Sequence, residues 1–256
     1  MKKTITTFII LGSFFFVACE KDNSLPIRFT PIPEGNTNVK FLNMSPGAAS
    51  INFFANNDKI SSTAPTGSGA TVVTGMGYPA LFPSTIGYAT VPSGTIKIDA
   101  KVPDSAAVMP GATVITSNQT LASKKFYTLA LVDTVTQAKI LLVEDDPSVP
   151  DHSKAYMRVA NFTADSAITV VVTKTSGGSS YSKTYANLTA LTVSAFDSIG
   201  AGQGQVYSVS FRRASNNVQL GIVSSFAPTA TKKYTFYMRG LVRTTSTTGF
   251  GSYTNF

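Results

Sequence analysis

The chain has 256 residues, with 21 basic and 13 acidic side chains, one histidine, one cysteine and no tryptophan. One thiol rules out an intramolecular disulfide or a thiolate cluster, and one histidine rules out a multi-histidine zinc site. The basic residues behind the formal charge of +8 are scattered, as at Lys97, Lys101, Lys139 and Arg158, without interleaved aromatics, so no nucleic-acid partner is expected.

At the N-terminus, Met1-Lys2-Lys3 precedes an apolar stretch from Phe8 to Val17. The stretch is shorter than the ~20 residues a helix needs to cross a bilayer, and it has the length of a secretory core segment. It closes on Phe16-Val17-Ala18-Cys19. A large apolar residue at −3, small residues next and then cysteine resemble the lipobox of bacterial lipoproteins. The resemblance implies cleavage after Ala18 and lipidation of Cys19, with three acyl chains in all. At ~0.8 kcal/mol per buried methylene, three chains make release from a membrane negligible. Glu20, Lys21 and Asp22 resemble the short Lys-acidic tag that sends lipoproteins of one Gram-negative phylum to the outer face of the outer membrane. The expected location is therefore the outer membrane, lipid-anchored and surface-exposed, with the periplasmic face as the alternative. Residues 19–38 contain Pro26, Pro31 and Pro33 and read as a tether. At ~3.3 Å per residue it lifts the body at most ~60 Å.

The remainder repeats itself. Val39-Lys40-Phe41-Leu42-Asn43-Met44-Ser45 matches Met157-Arg158-Val159-Ala160-Asn161-Phe162-Thr163, with a basic residue second and Asn near the end. Lys125 to Leu131 matches Lys232 to Met238. Thr95 to Val102 alternates apolar and polar, as does Gln205 to Arg212 with Tyr207, Val209 and Phe211 inward; this is the period of a half-buried strand. Ser215-Asn216-Asn217 reads as a hairpin turn because Asn tolerates positive φ. About seven short strands per copy are expected, and no amphipathic helix. The fold class is all-β: two tandem immunoglobulin-like sandwiches after a signal peptide (1–18) and the Pro-rich tether. Sandwich 1 is placed at 39–143, an acidic linker at 144–154, sandwich 2 at 155–243 and a Ser/Thr/Gly-rich tail at 244–256, read as a partly ordered end with a last edge strand or a docking peptide as the alternatives.

Asn43-Met44-Ser45-Pro46 with Ile51-Asn52-Phe53-Phe54, then Gly87 to Ile98 and Lys125 to Leu129, resemble the domain-of-unknown-function 4397 family. The resemblance spans Val39 to Val242 and implies tandem Ig-like modules on secreted or lipid-anchored bacterial proteins. The family has no assigned activity. This chain departs from its pattern at Gly47, where the family favours Asp after Ser-Pro; the second copy has Asp165 there.

Catalytic equipment is sparse. His152 stands alone beside Asp151 and reads as a solvated linker residue. Glu144, Asp145, Asp146 and Asp151 lack EF-hand spacing, so a charged linker is favoured over a calcium site. Gly200 to Gly204 lies between strands rather than before a helix, so it is a turn and not a phosphate loop. No Gly-x-Ser-x-Gly elbow is present. No enzyme activity, cofactor or metal is expected. Two ligand classes stay open. The leading one is a non-catalytic surface module for adhesion, envelope structure or protein–protein interaction; the alternative is a glycan-binding accessory lipoprotein of a polysaccharide uptake system. Within the first copy's extra stretch, Ser61 to Thr85, Tyr78 and Phe82 are the candidate ligand contacts. Ser105, Thr134, Ser166 and Ser198 each follow an aspartate and precede an aliphatic residue. That pattern resembles an O-glycosylation acceptor of exported proteins, and Asp-Ser is equally plain turn chemistry.

Overall fold

The structure, a computed structural model, describes residues 31–47, 49–62, 74–243 and 247–256. Cys19, Glu20, Lys21 and Asp22 lie outside the described residues, as does most of the tether. Two β-sandwiches of nine strands each follow the same plan. The first has β1 (Asn36–Asn43), β2 (Asn52–Ala55), β3 (Asp58–Lys59), β4 (Ala80–Phe82), β5 (Ala89–Pro92), β6 (Gly94–Lys101), β7 (Thr113–Leu121), β8 (Phe126–Val132) and β9 (Lys139–Glu144). The second has β10 (Lys154–Thr163), β11 (Ile168–Ser176), β12 (Ser182–Leu188), β13 (Thr192–Val193), β14 (Asp197–Gly200), β15 (Val206–Arg213), β16 (Gln219–Phe226), β17 (Lys233–Gly240) and β18 (Gly249–Thr254).

In each sandwich one sheet is purely antiparallel: β3-β2-β6-β7 in the first and β12-β11-β15-β16 in the second. The other sheet is mixed: β4-β1-β8-β9 with β5 also on β1, and β13-β10-β17-β18 with β14 also on β10. Its central pair runs parallel, with Phe41 opposite Leu129 in one copy and Val159 opposite Phe236 in the other. The alternations read from sequence hold. Ile96, Ile98 and Ala100 enter the first core with Val39, Phe41, Phe53 and Leu129. Tyr207, Val209 and Phe211 enter the second core with Met157, Val170 and Phe236. Asn217, at φ 59, turns the chain between β15 and β16.

The two mixed sheets are covered on their other faces as well. Leu42, Met44, Ala130 and Val132 of the first sandwich pack with Ala160, Phe162, Tyr237 and Tyr253 of the second in a third apolar cluster. The order of layers is antiparallel sheet, mixed sheet, mixed sheet, antiparallel sheet. Strands covered on both faces become continuous apolar runs, which is why every residue of β8 is buried.

Four sequence-based expectations need correction. Each copy has nine strands rather than seven, because short strands such as β3 and β13 escape a periodicity test that needs four or more residues. The second sandwich does not end at 243: β18 pairs antiparallel with β17, Tyr253 opposite Thr235, as β9 pairs with β8. The 144–154 segment is not simply a solvated linker. Glu144 closes β9, Lys154 opens β10, and Asp145 between them is only 1% exposed. At the other end, β1 begins three positions before the boundary drawn at 39.

Candidate functional site

The two positions that mark the repeat in sequence, the basic residue and the Asn, both turn inward. Asn161 satisfies backbone: its Nδ2 donates to the carbonyls of Ser166, Leu188 and Thr189, and its Oδ1 accepts from the Thr163 N–H. Asn43 does the same towards Met76 and Ser45. The basic pair, Lys40 and Arg158, lies in the seam between sandwiches at 1% and 2% exposure. Each sits opposite a threonine of the neighbouring parallel strand, Thr128 and Thr235. Each threonine donates across 2.6 Å to the residue after the last strand, Thr128 to Asp145 and Thr235 to Asn255. The seam thus carries one polar arrangement twice, with a carboxylate in one copy and an amide in the other.

The carboxylate copy holds the charge. Arg158 Nη2 donates to Asp145 Oδ1 at 2.6 Å, and Tyr88 donates to Asp145 Oδ2 at 2.8 Å. Burial opposes the guanidinium's charge, but Asp145 together with Tyr253 and Tyr88 outweighs that and holds it above the usual arginine range. Burial pushes the Tyr88 phenol well up, with Asp145 acting in the same direction. Lys40 has no such partner in contact; its ammonium donates to the carbonyls of Pro83 and Thr85, and burial lowers it to about 8. Lys233 donates to the carbonyls of Asp146 and Ser148 and lies over the Phe196 ring at 4.5 Å. The Arg158–Asp145 pair ties the second sandwich to the end of the first, while Lys40 holds carbonyls of its own sandwich and Lys233 those of the connecting segment.

The acids offered as a calcium set are likewise dispersed. Glu144 pairs with Lys125 and Asp145 with Arg158, while Asp146 and Asp151 cap the turns at Ser148 and Ser153. Among the described residues no cluster of three or more His, Cys, Asp or Glu is placed to hold a metal. His152 is exposed. Gly200 to Gly204 connects β14 and β15 as a turn.

Tyr78 reaches the seam: its hydroxyl donates to the Thr247 carbonyl at 2.6 Å, and the Arg239 guanidinium lies 4.6 Å from its ring centre. Phe82 packs at the edge of the first core. The structure therefore separates the two residues and gives both rings packing work. Of the four hydroxyl positions, Ser105 and Ser198 are exposed, while Thr134 and Ser166 are half-buried. Three of the preceding aspartates have structural partners. Asp133 pairs with Lys139, Asp197 accepts from Tyr185, and Asp165 accepts the backbone N–H groups of Val242 and Arg243. Asp165 thereby closes a turn by protein groups alone, at the position that is Gly47 in the first copy.

A groove of about 650 Å³ opens on the outer face of the first antiparallel sheet, walled by the β6–β7 loop. Its lining includes Asn52 and Phe54 from β2, Lys59 from β3, Lys101 from β6 and Asp104 from the loop. Outward positions of β2 alternate with Phe53, which points into the core, so Phe54 is only half-buried. Lys101 reaches over the Phe54 ring at 5.1 Å and towards Asp99 at 3.5 Å. Lys97 approaches the same carboxylate at 3.3 Å. Burial works against the charge of Asp99, yet the Thr116 hydroxyl and the two lysines prevail and keep its carboxyl below the usual range. Lys59 makes no ion pair with any described residue. Asn52 is 3% exposed, and its Oδ1 finds no donor among the described residues. A buried amide oxygen without a partner costs roughly 1–3 kcal/mol. Sequence reasoning quoted Asn52 and Phe54 only as strand residues; the signal available was an aromatic ring at an outward position beside an amide.

Two all-β sandwiches fused through their mixed sheets define the class: a tandem β-sandwich module. Residues 37–173, more than half of the chain, match the model of the family described as Domain of unknown function (DUF4397), and the chain belongs to that family. No curated protein sequence matches it. Among solved structures, it is similar to CBMbc, a family CBM26 module from Eubacterium rectale Amy13K in complex with maltoheptaose, at 12% identity and a TM-score of 0.26, covering 86% of this chain and 97% of that one. It is also similar to a candidate adhesin from Bacteroides ovatus, at 10% identity and a TM-score of 0.24, covering 82% of this chain and 91% of the other. Likenesses at this level do not bear on what the groove holds.

Proposed function

We propose that this chain is a non-catalytic binding module of the cell envelope, held in the outer membrane by acyl chains on Cys19 and taking its ligand in the groove formed by Asn52, Phe54, Lys59, Lys101 and Asp104. The observation that carries the binding reading is the groove itself. Its size lies within the roughly 300–1,000 Å³ of small-molecule sites, and it gathers a ring, two ammonium groups, a carboxylate and an amide oxygen with no donor among the described residues. The anchoring rests on the order of Lys2-Lys3, the apolar stretch and Cys19. The seam supports a display role, because a body stiffened by a buried apolar cluster and ion pair presents its groove at a fixed attitude.

Detergent-phase partitioning of cell extracts tests the anchor. The full chain is expected in the detergent phase and Cys19→Ser in the aqueous phase; equal retention of both would remove the lipid from the account. Surface biotinylation of intact cells tests the membrane face, with labelling expected and protection contradicting outward display.

A further inference from the structure

From the groove chemistry, and resting on the binding reading above, we infer that the ligand is a neutral carbohydrate chain. The second sandwich provides an internal comparison. Its outer sheet has the same strands in the same register, so Asn52, Phe54, Lys59, Asp99 and Lys101 correspond to Thr169, Val171, Thr184, Ser210 and Arg212. That sheet folds with ordinary β-branched and hydroxyl residues at four of these five places. The ring, the amide and the acid of the first sandwich are therefore not demanded by the fold. Burying an unpartnered amide oxygen and a carboxylate on that face costs stability, and the second copy shows that the cost is avoidable.

The donors and acceptors decide the class of ligand. Lys59 only donates, Asp104 accepts, and the amide oxygen of Asn52, without a donor among the described residues, accepts as well. A polyhydroxylated ring matches this mixture, since each hydroxyl donates and accepts. Its C–H face suits the half-buried Phe54. A polyanion fits poorly, because Lys97 and Lys101 are already engaged by Asp99 and a second carboxylate, Asp104, lines the wall. A peptide cannot add as an extra strand against Phe54 of β2, which lies between β3 on one side and β6 on the other.

The test is retention of the purified full chain in native gels containing a soluble neutral polysaccharide, run separately with an α-glucan, a β-glucan, a mannan and a xylan, and with polygalacturonate as the charged comparison. Retention by at least one neutral polymer is expected. It should persist in 1 M NaCl, where the screening length is about 3 Å. Phe54→Ala is expected to weaken it by about ten-fold, equivalent to ~1.4 kcal/mol. Lys59→Ala, an exposed change that spares the fold, should weaken it in the same direction, and Val171→Ala in the second sandwich should leave it unchanged. Absence of retention by all four neutral polymers, retention by polygalacturonate alone, or loss in high salt would overturn the carbohydrate assignment. Photo-crosslinking from position 59 on intact cells separates that failure from failure of the groove. A protein adduct abolished by Phe54→Ala keeps the binding reading and replaces the sugar, whereas no adduct together with no retention removes both.

Discussion

Replacing Arg158 by Met tests the seam most sharply. The Arg158 and Asp145 side chains are 3% and 0% exposed and meet at 2.6 Å. An exposed pair would contribute about 0.2–1 kcal/mol, but removing one member of a buried pair leaves a charge without compensation and costs about 3–5 kcal/mol. Three hydrogen bonds to Asp145 remain, from Tyr88, Thr128 and, at 3.5 Å, Asn255, so the lower half of that range, about 3–4 kcal/mol, is expected. A domain with roughly 5–15 kcal/mol in total then loses a large fraction of its stability. The double variant Arg158→Met with Asp145→Asn reproduces the amide arrangement that Asn255 makes with Thr235, and it should recover to within about 1–2 kcal/mol of the parent. Urea unfolding followed by tyrosine fluorescence and far-UV circular dichroism reads both changes. The two probes should coincide in a single transition, because the sandwiches share the seam. A loss below about 1 kcal/mol for the single variant, or no recovery in the double, would refute the reasoning.

The seam also makes stability depend on pH. Lys40 in the folded chain loses its proton near 8, while unfolded lysine keeps it to about 10.5. Over that interval the unfolded state binds more protons, so stability rises with pH; the cost of burying the charge is present in full below about pH 8. Burial lowers Lys233 as well, so Lys40→Met should flatten the rise between about pH 8 and pH 10.5 without abolishing it, and should stabilise the chain at pH 7. Parallel urea midpoint curves for parent and variant would contradict this. Phe162→Ala, which empties part of the apolar cluster between sandwiches, should cost about 3–5 kcal/mol in the same assay, and a loss under about 1 kcal/mol would mean that the sandwiches do not depend on their contact. Peptide-level mass spectrometry of the mature chain should find any O-linked sugar at the exposed Ser105 and Ser198 before the half-buried Thr134 and Ser166; the reverse order would contradict the exposure argument.

Much of each sandwich was legible because half-burial imposes period two. Thr95 to Val102 and Gln205 to Arg212 show it plainly, since their outer faces meet solvent. The mixed sheets broke that rule. Phe126-Tyr127-Thr128-Leu129-Ala130-Leu131-Val132 is apolar on both faces because both are covered, and the sequence reading registered a strand without asking what lay beyond it. The basic residue at the second position of each repeat served only to mark the repeat, because a buried lysine and arginine satisfied by carbonyls and a carboxylate have the same letter pattern as exposed ones. The C-terminal strand was hidden by its glycines. Gly251 lies against the Tyr237 ring, where a Cβ would come within 2.7 Å of the phenol oxygen, and Gly249 lies equally close to the Arg239 guanidinium. Glycine placed for close packing reads in sequence as glycine placed for flexibility. The Ser61–Thr85 stretch drew attention to Tyr78 and Phe82 by its length, but the one ring is drawn to the seam and the other to the core. The groove instead uses a strand, β2, whose four residues gave no period to distinguish Phe53 inward from Phe54 outward.

The central claim is that the outer face of the first sandwich, and not the matching face of the second, takes up the ligand. The most direct measurement compares Phe54→Ala with Val171→Ala on the polysaccharide that retains the parent chain. The account predicts a roughly ten-fold weakening for the first and parental retention for the second. Equal retention of the two variants, or a greater loss from the second, would contradict it.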